Sequence, residues 1–73
     1  MTTKVAVKKL DIAVNKIGAW SVIEDEGETF RFIASAGSKA EAERKMKRLA
    51  QAKNRKIVRG TAKRLLKAWG WTF

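Results

Sequence analysis

The chain has 73 residues, 17 Lys and Arg against 7 Asp and Glu, a net charge of +10, and no Cys, His or Pro. Zero Cys excludes disulfides, thiolate nucleophiles and zinc–thiolate sites, and zero His removes the commonest general base and transition-metal ligand. The length allows one domain, and a hydrophobic fraction of 45% is that of a folded domain, not of a basic disordered tail.

Val5 and Val7 alternate on one phase, and Leu10, Ile12 and Val14 on the other. One strand from about Lys4 to Val14, irregular at Lys8-Lys9, is expected. Asn15 to Gly18 reads as a turn, because Asn and Gly tolerate positive φ. A second strand follows over Ala19–Glu24, with Trp20 and Val22 on one face. Asp25-Glu26-Gly27-Glu28 reads as an acidic, solvated turn, since its spacing is not that of a calcium loop. Thr29–Ala34 is the third strand, with Phe30 and Phe32 on a shared face.

Ser38-Lys39-Ala40-Glu41 has the Ser-x-x-Glu pattern of a capping box, and a helix is expected from there. Ala42, Met46, Leu49 and Ala50 give it one apolar stripe, whose expected partner is the Trp20/Val22/Phe30/Phe32 face. Val58, Ala62, Leu65, Leu66 and Trp69 repeat at helical spacing beside a basic arc of Lys56, Arg59, Lys63 and Lys67. Gly60-Thr61 interrupts this pattern, with Thr61 a candidate cap, and Gly70 is a stop. The expected fold class is α+β: a three-stranded antiparallel meander packed against one α-helix, with a basic C-terminal segment that is helical or partly flexible. The expected division is a βββα core over 1–52 and a basic amphipathic segment over 53–73.

Residues 1–36 carry equal numbers of basic and acidic groups, so the whole +10 lies in residues 37–73. Such a charge points to an acidic partner: nucleic acid, an anionic membrane surface or an acidic protein patch. The candidate binding surface is Lys53, Arg55, Lys56, Arg59, Lys63, Arg64 and Lys67. Trp71 and Phe73 are candidate partner anchors, since aromatic residues are enriched at binding hot spots. In a three-stranded meander the first strand is an edge. Val5, Val7, Leu10 and Ile12 then mark where an extended peptide would add, unless Lys8 and Lys9 discourage it. No catalytic residue, cofactor or metal is expected. Without a targeting signal or an apolar run of membrane length, a cytoplasmic location is expected, and the domain is expected to be a monomer.

Gly18-Ala19-Trp20-Ser21-Val22, Gly27, Phe30-Arg31-Phe32 and Ser38-Lys39-Ala40-Glu41-Ala42 resemble the hairpin-plus-helix pattern of many small phage and bacterial domains. In length, basicity and layout the whole chain is similar to the small RNA-polymerase-binding transcription regulators of lytic Xanthomonas phages. That resemblance implies contact with bacterial RNA polymerase at the β′ N-terminal region and the β flap. It further implies inhibition of initiation by σ displacement, and antitermination. A basic DNA- or RNA-binding domain with weak sequence preference, and an inhibitor of another host complex such as a CRISPR effector, are the alternatives.

Overall fold

Period-two alternation builds the first half and a capped amphipathic helix follows it. In the computed structural model, which describes residues 7–27 and 29–72, the order is β1 (Lys8–Val14), β2 (Trp20–Asp25), β3 (Phe30–Ala36), α1 (Lys39–Leu49), β4 (Arg55–Ile57) and α2 (Thr61–Leu66). A 3-10 turn, Lys67–Trp69, continues α2. The sheet has four strands in the order β3-β2-β1-β4, antiparallel except that β4 runs parallel to β1.

The three-stranded meander is present, but β1 is not its edge. Lys8 N–H donates to Asn54 O at 2.7 Å and Val58 N–H donates to Leu10 O at 3.0 Å, which fastens β4 to β1. Val14 and Thr72 exchange a pair of 2.9 Å backbone bonds at the other end. The proposed strand-addition edge therefore fails: Leu10 and Ile12 are buried in a central strand, and Val7 is exposed ahead of it. Val5 lies outside the described residues.

The sheet is covered on both faces. Leu10, Ile12 and Val22 pack with Ala42 and Met46 of α1, joined by half-buried Trp20, Ile33, Leu49 and Ile57. Fully burying a side chain such as Met46 stabilises by about 1.5–3 kcal/mol. On the opposite face Ala13 and Ile23 pack with Ala62 and Leu66 of α2, joined by Phe30, Leu65 and Trp71. Phe30 and Phe32 were expected to face α1 with Trp20 and Val22. Their register partners are instead Asp25 and Ile23, so they lie on the α2 face. An irregularity beside Ile33 then shifts the phase, and Ala34 and Ala36 fall opposite Val22 and Trp20. A one-residue slip is enough to move a side chain to the other face of a sheet.

Ser38 caps α1 as expected, accepting from Glu41 N–H at 3.2 Å. The return bond is displaced by one residue, with the Glu41 carboxylate accepting from Gly37 N–H at 2.9 Å. The start of α2 differs from expectation. Thr61 is its first residue, and Gly60, at a left-handed φ of 96°, precedes it. The cap comes from Asp11 in the central strand. Its Oδ2 accepts from Gly60 N–H and Ala62 N–H, each at 3.0 Å, and its Oδ1 accepts from Ile12 N–H at 2.8 Å. This buried carboxylate fills the stretch of β1 that neither β4 nor Thr72 pairs, and ties α2 to the sheet. Residues 53–72, expected as an appendage, thus contribute a strand, a helix and a backbone bridge to the same sheet.

Candidate ligand-binding surface

The acidic side chains are consumed inside the chain. Glu24, with no solvent exposure, accepts from Arg55 Nε at 2.6 Å and Arg31 Nε at 3.3 Å, and Lys8 Nζ lies 3.7 Å away. Burial alone raises its pKa. The hydrogen bond and charge of Arg55, with Arg31 and Lys8, outweigh that and hold the carboxyl below its ordinary 4.5. Asp25, also buried, accepts from Arg64 Nη2 at 2.7 Å. Glu26 pairs with Arg31 and Lys8. Glu41 pairs with Lys45, and Glu43 takes both Arg59 Nη atoms at 2.6 and 2.5 Å. The Arg59 fork holds the Glu43 carboxyl below its usual range. Of the turn expected to be solvated, Glu26 and Gly27 are exposed but Asp25 is buried, and Glu28 lies outside the described residues; Asp25 and the neighbouring Glu24 are structural ion-pair partners.

The seven expected surface cations therefore divide. Arg55, Arg59 and Arg64 are spent on Glu24, Glu43 and Asp25. Lys53, Lys56, Lys63 and Lys67 are exposed and have no carboxylate within 4 Å among the described residues. Further cations lie outside that set of seven. Lys9 stands beside Lys56 as its register partner. Arg44, Lys47 and Arg48 lie exposed on α1, away from its buried Ala42 and Met46. Like charges side by side on neighbouring strands destabilise a sheet, so the Lys9–Lys56 pair marks a place where positive charge gathers at a cost.

Phe30, Phe32, Trp69 and Trp71 form one group on the α2 face, apart from Trp20 on the α1 face. Phe30 meets Phe32 edge-on at 6.0 Å and Trp69 at 5.8 Å, and Trp71 stacks on Phe32 at 5.2 Å with 20° between ring planes. Trp71, a candidate anchor, is half-buried in this way; Phe73, the other, lies outside the described residues. Trp69, aligned in sequence with the buried stripe of α2, is 61% exposed, and Phe32 is 44% exposed. Trp69 lies in the 3-10 turn beyond the end of α2, and Gly70 follows it at a left-handed φ of 79°. A cleft of about 330 Å³ opens among Asn15, Lys16, Ile17, Trp69 and Trp71. Phe30-Arg31-Phe32 and Trp69-Gly70-Trp71 were the available signals: two aromatic pairs at spacing two.

No family model, curated protein or solved structure matches this chain. No helix among the described residues is long and apolar enough to cross a membrane, and no group of His, Cys, Asp or Glu among them is placed to hold a metal ion.

Proposed function

We propose that this chain is a non-catalytic binding domain for nucleic acid, held through its phosphates. One observation carries the reading. Every described carboxylate is engaged within the chain, and the cations left over are exposed lysines and arginines on both helices and beside β4. A surface of that kind releases counterions when it meets phosphates, and its affinity falls steeply with salt. The composition, without His or Cys, supports binding in place of catalysis. Anisotropy of a labelled oligonucleotide, titrated across salt concentrations, tests this. Expected is binding at low salt that weakens log-linearly as salt rises; no binding at low salt overturns it.

A second reading is contact with bacterial RNA polymerase, with σ displacement and antitermination. The exposed Trp69 beside its cleft favours it, since such aromatics anchor protein interfaces. Retention on purified polymerase and altered transcription in vitro, without affinity for free nucleic acid, would replace the first reading by the second.

A further inference from the structure

We infer that the α2 face of the sheet is a base-stacking platform that selects single-stranded over duplex nucleic acid. The inference rests on the nucleic-acid reading above and names the form of the ligand.

The two faces of the sheet are finished differently. An eleven-residue helix covers one face, and a six-residue helix covers the other. The short helix reaches Ala13 and Ile23 but leaves Phe32 and Trp69 open to water, with Ile17 beside Trp69 at 88% exposure. Exposed rings on a sheet surface offer π faces to unstacked bases, and each base stacked contributes measurably and with little sequence preference.

Charge complementarity identifies the occupant. The Lys16 side chain folds across Gly70, between the two tryptophans: a Cβ built on Gly70 would lie 2.7 Å from Lys16 Cε and 3.3 Å from its Nζ. Gly70 leaves room for that chain and takes the left-handed φ of 79° that the turn requires. An apolar protein segment seated here would desolvate the Lys16 ammonium and return no counter-charge. A nucleic-acid strand supplies both a ring for the aromatics and a phosphate for Lys16. A duplex supplies the phosphates but keeps its bases stacked within, leaving Phe32 and Trp69 nothing to stack on.

The test is a titration of the full chain with oligothymidylate of about 12 nucleotides, within the usual span of one such site, and with a duplex of the same length. Anisotropy and tryptophan emission are read together. Expected is single-strand binding at least about tenfold tighter, with emission quenched except for the share from Trp20, which lies on the α1 face. Trp69→Ala should weaken single-strand binding by about five- to a hundredfold with an unchanged salt slope. Trp69→Phe should restore most of it, and Phe32→Leu should weaken binding in the same sense. Circular dichroism checks that each variant is folded. Duplex bound as tightly as single strand, with Trp69→Ala and Phe32→Leu both matching the parent chain, overturns the platform and leaves the cationic reading standing. Failure of both nucleic-acid forms to bind at low salt overturns the two together.

Discussion

The α1 face and the α2 face belong to one sheet and differ in what they leave exposed. Under α1, Leu10, Ile12, Val22, Ala42 and Met46 are closed from solvent, and the adjoining polar end is closed by the Glu24 ion-pair group. Under α2 the closed core is small, and aromatic rings extend past it into water. Aliphatic side chains packed to crystal-like density stabilise a fold without recognising anything. Exposed rings bury less area and add less to the fold. The two sides of a single sheet thus differ in kind: one is closed over an aliphatic core, and the other carries aromatic rings open to water.

Substitutions under α1 should unfold, and substitutions on the open side of the α2 face should disarm. The largest effect is expected from Leu10→Ala, at about 2–5 kcal/mol in chemical denaturation, a large part of the stability of so small a domain. Trp20→Ala follows. Its ring is only half-buried, so a loss of about 2–3 kcal/mol is expected, with oligonucleotide affinity of the folded fraction unchanged. A loss of affinity in a folded Trp20→Ala protein would break the comparison.

Glu24→Gln leaves Arg55, Arg31 and Lys8 without their shared carboxylate. A fully buried pair broken in this way loses about 3–5 kcal/mol; Arg31 is largely solvated, and about 2 kcal/mol is expected. The same carboxylate sets an acid limit. Its folded pKa is lowered, so the unfolded chain binds its proton first. The stabilisation is present above the ordinary value of 4.5 and is lost as pH falls through the lower folded value. Denaturation curves of the parent chain should weaken below about pH 4.5, while those of Glu24→Gln should depend less on pH.

Asp11→Ala should remove the remote cap of α2 and cost about 1–2 kcal/mol. Hydrogen exchange gives the sharper reading: the Gly60 and Ala62 amides should lose protection while α1 amides keep theirs apart from the global loss. Equal loss throughout would mean that α2 does not open by itself. The smallest effect on stability is expected from Lys63→Glu with Lys67→Glu, within about 0.5 kcal/mol, as usual for surface changes. Their effect on oligonucleotide binding should be large, with a salt slope reduced by about 1.4 or more for a single strand. Arg59→Glu is a poor probe of binding, because it would set a carboxylate against Glu43 and disturb the fold.

Much of the fold is legible in the order of residues. Leu10, Ile12 and Val14 mark a half-buried strand, and Ser38 with Glu41 marks the start of α1, because these signals act over two to four residues. The fourth strand is not legible. Arg55-Lys56-Ile57 sits in a stretch rich in helix formers, and only hydrogen bonds to Lys8 and Leu10 draw it into extended form. The cap of α2 is equally hidden, because Asp11 is 49 residues from Gly60. For the candidate surface, the basic second half was plain from charge, but which of its cations are free was not. Arg55, Arg59 and Arg64 are neutralised by acids far away in the chain, at Glu24, Glu43 and Asp25.

By itself, then, the sequence determined an α+β domain with a net positive second half and no Cys or His, since composition and short-range periodicity are local properties. Tertiary structure decided which faces the aromatics occupy and which charges remain uncompensated. Strand register and ion pairing depend on residues distant in the chain, and a one-residue difference in register exchanges the two faces of a strand. The +10 charge is fixed by the residues; which of its cations stay unpaired, on both helices and beside β4, is fixed by the fold.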